Sequence, residues 1–75
     1  MVRKMYTNVY INFNEMSERY YISVYISDNK ETMGKNLITI RCENYQIIKD
    51  KFIYCDTGIT HQTIELDKNT IVHEG

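Results

Sequence analysis

The stretch Met5-Tyr6-Thr7-Asn8-Val9-Tyr10-Ile11-Asn12-Phe13, followed by Tyr20-Tyr21-Ile22-Ser23-Val24-Tyr25-Ile26-Ser27, decides the fold. In the first segment Met5, Thr7, Val9, Ile11 and Phe13 share one parity, and Tyr6, Asn8, Tyr10 and Asn12 share the other. In the second, Tyr20, Ile22, Val24 and Ile26 alternate with Tyr21, Ser23, Tyr25 and Ser27. Alternation of period two marks strands that bury one face. The polar linker 14–19 has the length of a hairpin loop. Residues 5–27 are therefore expected to form an N-terminal β-hairpin.

Composition extends this reading to the whole chain. Ile, Val, Thr, Tyr and Phe supply 31 of the 75 residues, whereas Ala is absent and Leu occurs twice. β-branched and aromatic side chains lose rotamer freedom in helices and pack well on pleated surfaces. Proline is absent and the three glycines fall at 34, 58 and 75. Asn, Asp and Ser must then build the turns, because they bond their own backbone.

Beyond the hairpin, residues 28–36 form a charged connection with room for one helical turn capped by Ser27 or Asp28. A strand follows over 37–42. Residues 45–49 and 52–56 read as a second hairpin around Asp50-Lys51, with a short helix over 43–51 as the competing reading. Residues 57–60 form a loop, 62–66 a strand, 67–69 a turn and 70–73 a last strand. The expectation is a mainly β, single-domain chain of 75 residues, with six to seven short strands. These form an antiparallel barrel or a two-layer sandwich, with 37–73 as a C-terminal meander.

Charge and size exclude several functions. Nine Lys and Arg against ten Asp and Glu give a net charge of -1, unlike a dedicated duplex-DNA binder or a strongly acidic DNA mimic. A domain this small holds no sizeable catalytic cleft by itself. The basic start at Arg3-Lys4 leads into an alternating stretch and not into an apolar run, which argues against a signal peptide. No charge-free run reaches the length of a membrane span. Two cysteines, Cys42 and Cys55, are too few to staple a secreted miniprotein and are read as reduced thiols in a cytoplasmic protein. The abundance of Ile, Lys, Asn and Tyr, with Ala and Pro absent, points to AT-rich coding and so to a low-GC bacterium or its phage.

The triplet Asp56-Thr57-Gly58 resembles the active-site triplet of the aspartic proteases, including the retroviral type in which two short chains each supply one Asp. That resemblance implies paired carboxylates sharing a proton and activating water. The family also braces this loop with an apolar-apolar-Gly segment in a long C-terminal half. Here the sole glycine after Gly58 is Gly75, so a strand ending in an Asp-Gly turn is the preferred reading. Cys42, Cys55, His61 and His73 are spaced by 13, 6 and 12 residues, without the short chelating pair usual at zinc sites. Cys55 and His61 are near in sequence, but nothing marks that thiol as activated. The expectation is no enzyme activity, no metal and no cofactor.

The tyrosines carry more information. Alternation places Tyr6, Tyr10, Tyr21 and Tyr25 opposite the apolar face, in the company of Asn8, Asn12, Ser23 and Ser27. An ordinary solvated sheet face would carry Lys and Glu, whereas Tyr offers large rigid contact area with a polar tip and is enriched at interfaces. Three fates are open to this face: packing under the second half of the chain, protein binding or self-association, and base stacking. The expected function is a non-enzymatic binding module, a phage or mobile-element accessory protein that masks a host protein, for example a defence or regulatory enzyme. Tyr6, Tyr10, Tyr21, Tyr25, Asn8 and Asn12 would form the partner-binding site. A homodimer is expected, because a small β domain with open edges tends to pair them. A β-barrel that binds single-stranded nucleic acid or a small ligand is the alternative, and a protease acting through Asp56 the remote one.

Overall fold

The computed structural model describes residues 4–75, and these are organised as seven strands: β1 (Tyr6–Asn14), β2 (Arg19–Ser27), β3 (Lys35–Cys42), β4 (Asn44–Ile48), β5 (Phe52–Asp56), β6 (His61–Glu65) and β7 (Thr70–Glu74). Four strands form one sheet in the order β3-β2-β1-β7, and three form a second in the order β4-β5-β6. The expected hairpin pairs in the register the alternation demands, with Val9 opposite Val24 and Ile11 opposite Ile22. Its inner side chains join Ile40 and Cys42 of β3 and Ile53 and Cys55 of β5 in one buried cluster. Tyr20 seals one end of it, packing edge-on against Phe13 and against Tyr45 of the second sheet, with ring centroids 5.0 Å apart in each pair.

Two sequence expectations give way to a different topology. The sheets do not close into a barrel, since β3 and β7 remain edges of the first sheet and β4 and β6 edges of the second. The chain leaves the first sheet at Glu43, the single residue between β3 and β4, whose N–H is taken by the Asp56 carbonyl at 2.8 Å. β4 accordingly pairs with β5, starting at Asn44–Asp56, and not with β3. Residues 37–73 are likewise not one meander. Only β4, β5 and β6 form one, while β7 returns to the first sheet and pairs with β1 in parallel, from Thr7–Thr70 to Ile11–Glu74. The Asn69 carbonyl accepts the Thr7 N–H at 3.0 Å where this pairing begins.

No helix forms over 43–51. Ile47 faces Ile53 across the β4–β5 ladder, and the turn between them takes left-handed backbone at Lys49 (φ 51°) and Asp50 (φ 55°). The turn thus sits one residue earlier than Asp50-Lys51. The 28–34 connection is a chain of turns and not a helical turn. It ends at Gly34 (φ 83°), where an added Cβ would lie 2.1 Å from the Ile26 carbonyl oxygen. β3 then carries a bulge opposite Val24 and Tyr25 that leaves Leu37 out of register.

The molecule measures 42 × 24 × 18 Å. Its shortest dimension accommodates two sheets stacked about 10 Å apart and no third layer. The β4-β5-β6 sheet covers the Val9–Ile11 face, so the opposite face of the β3-β2-β1-β7 sheet has no second sheet over it and is covered at one end only, by the 28–34 connection.

Candidate functional site

The uncovered face is built by strand parity. β1 presents Tyr6, Asn8, Tyr10 and Asn12; β2 presents Tyr21, Ser23, Tyr25 and Ser27; β3 adds Thr39 and Arg41; β7 adds Ile71 and His73. Tyr10 is its centre. Its ring meets Tyr25 edge-on at 5.6 Å and stacks on His73 at 4.4 Å, the two planes within 8°. Diagonal and lateral aromatic contacts of this kind are favourable cross-strand pairs. Ser23 and Thr39 share a hydroxyl hydrogen bond of 3.2 Å between β2 and β3. Tyr6, Tyr10, Tyr21 and Tyr25 are all half-buried by their neighbours on the sheet, and Asn12 is exposed.

Asn8 takes a different place from its neighbours. The 28–34 connection folds back over this end of the face and leaves Asn8 and Ser27 buried. Asn8 donates from Nδ2 to the Thr32 carbonyl at 3.5 Å, and its Oδ1 faces His73 Nε2 at 3.1 Å. Ser27 shares a hydroxyl bond with Thr32 and accepts the Asn29 N–H at 3.0 Å. A partner approaching the face meets Tyr10, Tyr21 and Tyr25 directly, whereas Asn8 acts from below as framework. His73 is weighed in the sequence only as a metal ligand. Its membership of the face follows from alternation with Val72 once β7 is paired to β1.

The chemistry-bearing residues are dispersed. Cys42 and Cys55 are free and buried. Burial, with the neighbouring Cys42 as a smaller cause, pushes the Cys55 thiol up to about 11; burial, then Asp56, raises Cys42. Both are protonated at neutral pH and poor nucleophiles. His61 stacks on Tyr54 at 5.1 Å on the second sheet, far from His73 in the topology. Among the described residues no three His, Cys, Asp or Glu side chains come together to hold a metal ion. Asp56 closes its own turn, accepting the Gly58 N–H at 2.9 Å, while Thr57 and Thr60 bond each other across the loop.

Two cavities flank the β6–β7 turn. One, of about 430 Å³, opens where the two sheets part; Ile47, Leu66 and Val72 form its apolar wall and Asp50, Asp67 and Glu74 its polar rim. The other, of about 270 Å³, lies beside the tyrosine face and is lined by Lys4, Tyr6, Lys30, Lys68, Asn69 and Ile71. Among the described residues no helix is long and apolar enough to cross a membrane. No protein-family model, no curated protein and no solved structure matches the chain.

Proposed function

We propose that this chain is a non-enzymatic protein-binding module that works by steric masking. Its partner docks on the outer face of the β3-β2-β1-β7 sheet through Tyr10, Tyr21 and Tyr25, with Tyr6 and Asn12 at the margin. The observation that carries this reading is the contiguous Tyr25–Tyr10–His73 ring cluster on the sheet face that the second sheet does not cover. A sheet face left to water carries no selective reason to hold stacked rings, whereas Tyr anchors dominate interface energetics at low conformational cost. The buried, protonated thiols and the self-closed Asp56 turn support a binding role over catalysis. The size and AT-rich texture of the chain suit an accessory protein of a phage or mobile element acting on a host protein in the cytoplasm. The open β3 edge gives a homodimer a place to form.

The test is recovery of a stoichiometric partner from a low-GC bacterial lysate by the tagged protein, repeated with Tyr10→Ser/Tyr25→Ser. The expected result is one partner retained by the wild type and lost by a variant that keeps its β circular-dichroism spectrum. Equal retention by both sinks the proposal.

A further inference from the structure

The smaller cavity lies where three separate pieces of chain converge. The chain entering β1 brings Lys4 and Tyr6, the 28–34 connection brings Lys30, and the β6–β7 turn with the start of β7 brings Lys68, Asn69 and Ile71. Three of the chain's nine Lys and Arg residues thus line one space of about 270 Å³, in a protein of net charge -1. Among the described residues no carboxylate lines it. The acidic rim of the larger cavity lies on the other side of the turn, where Asp67 is engaged by the Asn69 N–H and the Thr70 hydroxyl.

Like charges gathered around a concavity repel one another and focus a positive potential into it. An anion placed there relieves that repulsion and gains charge-assisted hydrogen bonds from up to three ammonium groups. The walls are chosen as well. The Tyr6 ring has the Lys4 ammonium 5.7 Å from its centroid, and Ile71 adds an aliphatic surface, so cationic and apolar groups line the same space. Its volume is at the small end for ligand pockets. That matches one or two phosphoryl groups on a compact organic body and is too small for a folded partner's surface.

We propose that this cavity is a binding site for a small phosphorylated molecule, its phosphoryl oxygens held by Lys4, Lys30 and Lys68 and its organic part against Tyr6 and Ile71. The site adjoins the tyrosine face, with which it shares Tyr6 and Ile71, and does not depend on the masking role proposed above.

The test uses the whole chain with pyrophosphate and AMP as probes, followed by amide NMR at fixed ionic strength and by calorimetry. Saturable shifts confined to Tyr6, Lys30, Asn69 and Ile71 are expected, with sodium sulfate giving weaker ones. Lys30→Gln and Lys68→Gln should each weaken pyrophosphate binding about tenfold while leaving the remaining spectrum unchanged. Affinity unaltered by both substitutions overturns the proposal. So does binding of oligo-dT in the absence of any pyrophosphate or AMP binding, which would make the lysines a nucleic-acid contact.

Discussion

The His73 imidazole lies flat on the Tyr10 ring at 4.4 Å and, in the same pose, reaches the buried Asn8 Oδ1 at 3.1 Å. Asn8 spends its amide N–H on the Thr32 carbonyl, so its oxygen is the acceptor and His73 carries the proton on Nε2. One side chain therefore fastens β7 to β1, fixes the central ring of the outer face and satisfies a polar group beneath it.

Replacing that side chain should loosen all three. His73→Ala removes the stacked pair and strands the Asn8 oxygen, and should cost about 1–2 kcal/mol in urea unfolding. His73→Gln, which restores a donor without the ring, should recover part of the loss. An unchanged urea midpoint for His73→Ala would show that the stack carries no stability.

Gly34 is the most constrained position in the 28–34 connection. Its φ of 83° suits glycine, and an Ala Cβ would sit 2.1 Å from the Ile26 oxygen and 2.6 Å from Ser27 Cβ. Gly34→Ala should destabilise by on the order of 2–3 kcal/mol and should free the connection from Asn8 and Ser27. Amide hydrogen exchange at Asn29 and Thr32 reads that release directly.

The β4–β5 turn offers the opposite experiment. Lys49 and Asp50 both hold left-handed backbone, a conformation that Asn-Gly adopts with less strain. Lys49→Asn combined with Asp50→Gly should raise stability by about 0.5–1 kcal/mol. A lower melting temperature would mean that the native turn draws on its side chains rather than merely tolerating them.

Stability should fall at alkaline pH. Burial raises the folded-state pKa of Cys55 to about 11 and raises those of Cys42 and Tyr45 as well. An unfolded thiol ionises near 8.5, so above that pH the unfolded chain releases protons that the folded chain retains. The stabilisation is fully present below about pH 8.5 and is lost as pH climbs towards 11. Cys55→Ala, although less stable at neutral pH because it leaves a cavity, should show a flatter decline between pH 8.5 and 10.5. An equally steep decline would remove Cys55 from the cause.

The N-terminal hairpin and its two faces are legible in the sequence because strict alternation runs through both segments, and a one-residue slip would drive every buried side chain into water. Val9, Ile11, Ile22 and Val24 need no partner to declare themselves inward. The parallel return of β7 is not legible in the same way, since Thr70–Glu74 is too short to carry a preference for one neighbour over another. Ile47-Ile48 sets no period, so only the ladder with Ile53 and Phe52 decides strand over helix there. Of the candidate face, the tyrosines follow from parity alone. The burial of Asn8 and the gathering of Lys4, Lys30 and Lys68 depend on where the 28–34 connection and the β6–β7 turn come to rest. No local rule assembles those distant pieces.

The pairing of β7 with β1 also sets an order of events during synthesis. Asn8 and His73 lie 65 residues apart, and contacts of that span form late because the intervening chain must first be ordered. Until residues 70–74 have been made, one edge of β1 has no neighbour, although β2 can already occupy the other. A nascent chain in that interval offers a bare, β-prone edge to any similar chain beside it. Crowded polysomes translating this sequence are thus the setting in which strand exchange between copies competes most strongly with correct folding.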